Sequence, residues 1–128
     1  MLRAGAHAEI AIAQHDPIGY FVLSSMELGR PYGPWPTPRI AHLDAIAITP
    51  EAQGQRLGRA LTRRAEEVAR EGGAVVMTLM TAMGNTRARR LFERSGFLPV
   101  LRSDGSYANG DAAIKMFKLI APSTEGGR

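Results

Sequence analysis

Two segments hold residues whose types and spacing could do chemistry. His42 and Asp44 lie two apart in Ile40–Thr49 (IAHLDAIAIT), which reads as a β-strand. Both side chains therefore leave the same face. A histidine titrating near neutrality is a suitable general base, and a neighbouring carboxylate raises its basicity and orients it. The plainer alternative is a strand histidine with a satisfied hydrogen bond beside a solvated aspartate. The second segment, Gln53-Gly54-Gln55-Arg56-Leu57-Gly58, joins that strand to a helix. Backbone N–H groups at a helix N-terminus are unpaired, and the helix dipole favours an anion there. Glycine lets a backbone come close to a diphosphate. The competing explanation is steric, because many strand–helix turns carry glycine for packing alone.

The elements that would position these residues follow from pattern. Glu9–Gln14 alternates polar and apolar, His15-Asp16-Pro17 turns, and Ile18–Met26 is rich in β-formers, so the two runs predict a hairpin. Gly29–Arg39 holds four prolines and two glycines and is a loop around Trp35, which either anchors it on the core or lids the substrate side. After the Ile40–Thr49 strand and its turn, Leu57, Leu61, Ala65 and Val68 make the apolar stripe of a helix over 57–70, closed by Gly72-Gly73. Ala74–Met80 is almost wholly apolar, as a central strand is. A second helix spans about 86–95, with Asn85 or Thr86 as cap and Gly96 as stop. Phe97–Arg102 and Ala112–Leu119 are strands around a hairpin loop over 103–111, and 121–128 reads as a disordered tail. The order is β-β-β-α-β-α-β-β, with room for one right-handed parallel crossover over 40–80.

The run from Ile46 to Leu61 resembles the cofactor motif of the GNAT acetyltransferases: a strand ending near a proline, then Gln/Arg-x-x-Gly-x-Gly/Ala, then an amphipathic helix. A second block, Asn85, Ala88 and Leu91-Phe92-Glu93-Arg94-Ser95-Gly96-Phe97, is similar to that family's "N..A..LYE..GF". Linked blocks are more specific than either alone. In the register favoured by the spacing from Pro50 and to Asn85, Arg56 stands where the first glycine is expected; Gln55–Ala60 offers a second register.

The resemblance implies an α/β (α+β) fold: a central mixed, mostly antiparallel sheet with one parallel β-α-β crossover, helices on both faces, and a shortened N-terminal part. It implies acetyl-CoA (coenzyme A) as co-substrate and no metal. The two central strands would splay to admit the pantetheine arm. Main-chain groups of Ile46, Ala47 and Ile48 would pair with that arm, and the amides of Gln53, Gly54, Gln55, Arg56, Leu57 and Gly58 would hold the pyrophosphate. Asn85 would touch the cofactor. Arg56, Arg59 and Arg90 are candidates for the adenosine phosphates on charge alone. The strand around His42 looks like that of arylalkylamine N-acetyltransferases, which carry His-x-His there; His42 matches the first histidine and Asp44 replaces the second. Phe92 takes the place of the usual acid, a tyrosine, and Met80 that of a carboxylate found in some members. Tyr20, Tyr32, Tyr107 or water would then protonate the thiolate. Tyr107–Ala112 resembles enzymes that acetylate protein N-termini.

The resemblance thus implies transfer of acetyl to a primary amine, on a small molecule or a peptide N-terminus, by direct attack. The other reading is an acyl-CoA-binding sensor or subunit with little activity. Family members usually begin with a strand and two helices that wall the acceptor cleft. Few residues precede Glu9, which leads to the expectation of a homodimer.

Composition sets the frame. At 128 residues the chain fits a single domain, and 45% apolar with 22% charged residues is ordinary for a globular protein. The absence of cysteine excludes disulfides, thiolate metal sites and a cysteine nucleophile. His7, His15 and His42 make no metal-ligand pattern. A net charge of +4 favours a polyanionic partner or merely solubility. With no nucleic-acid motif, nucleic acid is a minor third reading. His7 and Glu9 interrupt an N-terminus that otherwise faintly resembles a signal peptide, and no window reaches membrane-spanning length, so a cytoplasmic protein without membrane contact is expected.

Overall fold

The computed structural model describes residues 2–31, 33–54, 56–100 and 112–120. Gln55, Tyr32, Tyr107, the loop over 103–111 and the tail over 121–128 lie outside the described residues.

Leu2–Ala13 (β1) and Asp16–Glu27 (β2) form an antiparallel hairpin. The turn is Gln14-His15, both with positive φ (52° and 73°), while Asp16 and Pro17 already belong to β2. A two-residue hairpin loop needs this left-handed backbone to match the strand twist. β1 starts well before the expected Glu9, because pairing with β2 extends it through an alanine-rich stretch of weak intrinsic preference. Arg39–Ile48 (β3) pairs antiparallel with β2, and Ala74–Ala82 (β4) runs parallel to β3 across the helix Leu57–Glu71 (α1). Thr86–Arg94 (α2) follows, then Leu98–Pro99 (β5) and Ala113–Leu119 (β6). The sheet order is β1-β2-β3-β4-β6-β5, with β3–β4 as its parallel pair. The element order and the mixed sheet are as the sequence predicts. β5 is two residues long where a strand over 97–102 was expected; Phe97 is instead buried, its N–H bonded to the Phe92 carbonyl at 2.9 Å to close α2.

One face of the sheet carries the core. Phe21, Leu23, Ala41, Leu43, Met77, Leu79 and Met116 pack against Leu61, Ala65 and Ala69 of α1 and Phe92 of α2. Alanines on the buried stripe of α1 let the helix lie close to the sheet. The two helices are neighbours, since a Cβ on Gly58 of α1 would sit 3.2 Å from Leu91 of α2. They therefore share one face, and the expectation of helices on both faces is corrected: among the described residues no helix covers the other side. That side carries His42 and Thr78 and exposes Ile10, Ile12, Tyr20, Met80 and Leu119. No described helix is long and apolar enough to cross a membrane.

Candidate active site

The parallel pairing of β3 with β4 runs from Arg39↔Ala74 to Leu43↔Leu79 and stops there. Both strands continue, to Ile48 and Ala82, without each other. The cause is local. The β2–β3 register slips between Val22↔Ala45 and Leu23↔Leu43, which leaves Asp44 as an extra residue in β3. Such a bulge bends the strand and sharpens its twist, here turning its second half away from β4. The result is a V-shaped cleft of about 1030 Å³.

Ala45–Ile48 form one wall of this cleft, and Leu79–Thr81 and α2 the other. Ile46, Ala47 and Ile48 therefore lie on the cleft wall. Gln53, Gly54, Arg56 and Gly58 line the wide end, where β3 leads into α1. Gly54 has φ of 86° and Arg56 has φ of 64°, so the residue found in place of a glycine adopts the conformation that glycine favours. Gly58 serves a different need: a side chain there would meet Leu91 at 3.2 Å and Ile48 at 3.3 Å. Leu57 turns its side chain into the core, which leaves it only a main-chain role. Arg56 caps α1 without a side-chain hydrogen bond, and the first turn holds no acidic residue. The leading N–H groups of α1 are thus left for an anion. Among the described residues five arginines (Arg56, Arg59, Arg87, Arg90 and Arg94) line the cleft against a single carboxylate, Asp44. That charge distribution and the uncapped helix suit the phosphates of coenzyme A, and the parted strands suit its extended arm. Asn85 lines the cleft and caps α2, its Oδ1 accepting from the Ala88 N–H at 3.1 Å, so its side-chain NH2 remains to donate.

Sequence reasoning missed a brace across this end. Arg87 Nη1 donates to Gln53 Oε1 at 2.6 Å, and Gln53 Nε2 donates to the Ile48 carbonyl at 3.2 Å. The turn before α1 is thereby tied to β3 and to α2. Only the spacing of Gln53 from Ile48 hinted at it.

His42 and Asp44 behave differently from expectation. No hydrogen bond joins them. The Ser24 hydroxyl donates to Asp44 Oδ1 at 3.1 Å, while His42 Nδ1 and Thr78 Oγ1 are 2.8 Å apart. Alternation alone predicted a side-by-side pair; the bulge gives each residue its own hydroxyl partner instead. Burial pushes the His42 pKa below its ordinary value, Asp44 pulls it up and Lys115 pushes it further down. The net direction keeps the imidazole neutral at neutral pH. The cleft wall begins at Leu43 and Asp44, one residue beyond His42, and on β4 at Leu79, one beyond Thr78. The His42–Thr78 pair thus sits at the apex of the V, on the open face. Phe92 lines the cleft and is almost fully buried, and no tyrosine does so among the described residues. Tyr20 lies on the open face, paired across strands with Ala47.

Comparison with known proteins accords with this geometry. A mycothiol acetyltransferase from Beutenbergia cavernae is 43% identical over 86 residues, 67% of this chain and 27% of the relative. The chain therefore spans only about a quarter of that relative's length. The ribosomal-protein-S18-alanine N-acetyltransferase from Escherichia coli superposes with a TM-score of 0.72 at 22% identity, over 92% of this chain and 71% of that one. The PaiA N-acetyltransferase from Thermoplasma acidophilum, in complex with coenzyme A, gives 0.69 at 18% identity, over 89% and 60%. The model of the acetyltransferase (GNAT) family matches residues 2–97, and the chain belongs to that family.

Proposed function

We propose that this chain is an acetyl-CoA-dependent N-acetyltransferase acting on a primary amine, whether of a small molecule or of a peptide N-terminus. One observation carries the reading: the opening between β3 and β4 and the uncapped N-terminus of α1 belong to one arginine-lined cleft. The amides and arginines of the turn would take the phosphates, and the free edge of Ala45–Ile48 the pantetheine arm. The acceptor would approach from the open face, where His42 receives the amine proton directly or through water. The amine nitrogen then attacks the acetyl carbonyl, the C–S bond breaks, and the thiolate takes up a proton from water or from Tyr20. A second copy of the chain would supply the far wall of the acceptor site, and sedimentation equilibrium tests that part.

Turnover is read as free thiol released across a panel of amines and N-terminal peptides. No release above hydrolysis with any acceptor would sink the proposal. His42→Ala should lower kcat/KM by about 10²-fold, most at pH values where the acceptor amine is largely protonated. The sign of the pH dependence follows from burial. His42 is neutral above a folded pKa that lies under 6.5, so the acid limb of kcat/KM falls below that value and disappears in His42→Ala.

Phe92 favours a second reading, an acyl-CoA-binding sensor or subunit, because its ring has no proton to give. Calorimetric binding of coenzyme A without turnover would single it out.

A further inference from the structure

We propose that Thr78 fixes the tautomer of His42: its hydroxyl oxygen accepts the Nδ1–H, which leaves Nε2 as the atom that takes a proton at the open face. The inference rests on the reading of His42 as the base. The two side chains are register partners across the parallel pair, one step before β3 and β4 part, and Nδ1 lies 2.8 Å from Oγ1. Among the described residues neither the Thr78 hydroxyl nor His42 Nε2 has another hydrogen-bond partner.

A threonine hydroxyl can donate or accept, so the chemistry of the ring decides the direction. With the hydroxyl donating, Nδ1 is the neutral ring's lone-pair atom. It is then blocked by the proton it already receives, and Nε2 carries a hydrogen. Such a ring can accept nothing from outside without first breaking the bond to Thr78. With the hydroxyl accepting, the Nδ1–H bond is the same before and after protonation, and Nε2 is free. Half-buried Thr78 can turn its own proton toward water in that arrangement. A bond present in both charge states holds the ring still while the proton arrives and also favours the cation. Thr78 is thus a positioning residue that acts through His42.

The charged groups facing the ring are Asp44 from β3 and Lys115 from β6, with opposite effects. From β2 the facing residue is Ser24, which does not titrate. A change at Thr78 therefore adds to a field set by these two charges and leaves both in place.

The test uses the whole chain and begins on the wild-type protein. Long-range ¹H–¹⁵N correlation of the neutral His42 ring should show the Nδ1–H tautomer, and Thr78→Val should shift the ring toward Nε2–H. In Thr78→Val the acid limb of kcat/KM should move down by about half a pH unit, because the cation has lost its acceptor; Thr78→Ser should restore both the tautomer and the limb. A wild-type ring protonated at Nε2, or a limb that moves up in Thr78→Val, overturns the assignment, since both are the marks of a donating hydroxyl. A normal tautomer with an unchanged rate and profile in His42→Ala overturns the base reading instead, and the two failures are separately visible.

Discussion

Phe92 stands on the cleft wall with 4% of its surface exposed and its ring edge-on to Phe97 at a centroid distance of 5.9 Å. Its neighbours make it a core residue that also looks into the cleft, and both roles are compatible with one added oxygen at the ring tip. Phe92→Tyr should raise kcat by up to about tenfold by offering the departing thiolate a proton, with the KM for acetyl-CoA little changed; stopped-flow and steady-state thiol release check it. The gap in proton supply was legible in the sequence, because a side chain without a donor is known from its identity. Thr78 was not legible as the partner of His42. Nothing in AVVMTLM singles out its threonine until β3 and β4 are set in register.

At the scale of the element, three described residues other than glycine hold positive φ: Gln14, His15 and Arg56. The side chain crowds the backbone there at a cost of about 1 kcal/mol each. His15→Gly, in a hairpin turn away from the cleft, should raise stability by about that amount and leave activity alone. Arg56→Gly should bring a similar gain by denaturant unfolding, but it removes one of the cleft arginines and should weaken coenzyme A binding, most at low salt. The pair of variants separates backbone strain from phosphate recognition. Helix limits were readable to within a residue, since caps and apolar stripes are local. The bulge was unreadable, because it exists only in the pairing of β3 with β2. The close approach at Gly58 likewise depends on Leu91, which is far along the chain.

At the scale of the molecule, a charged tie joins the helix layer to the edge strand β1. Arg64 of α1 donates from Nε and Nη2 to the two oxygens of Glu9 on β1, each at 2.9 Å. The Arg64 hydrogen bonds, with help from His7, lower the Glu9 pKa from 4.5 to about 2. A carboxylate lowered on folding stabilises the folded state above its unfolded pKa and loses that contribution as pH falls through the folded one. The melting-temperature difference between wild type and Glu9→Gln should thus be full above pH 4.5 and vanish toward about 2. The pair is exposed, so the difference is small and shrinks in salt. On the other side of α1, burial opposes ionisation of Glu66, but Lys118 and Arg70 outweigh it and keep its pKa low. Lys118 also donates to the Ser95 carbonyl at 2.8 Å, which joins β6 to α1 and to the end of α2. The order of strands and helices could be read from periodicity. Their distribution between the two faces could not, because an amphipathic stripe says that a helix is covered and not which side of a sheet covers it.

The extra residue at Asp44 also fixes a count. Ala41 and Leu43 point to the helices, and after one additional position Ile46 and Ile48 do the same, while Ala45 and Ala47 are left on the opposite side. Drawing Asp44 into a regular ladder opposite Val22 would exchange those roles, sending two isoleucines out to water and two alanines into the core. Deleting it would instead keep Ala45 opposite Val22 and Ile46 opposite Phe21 and remove only the bulge. Substitutions at 44 therefore change chemistry, whereas its deletion leaves the core side chains in place and straightens the strand. The strand cannot become regular and keep both its core and its opening.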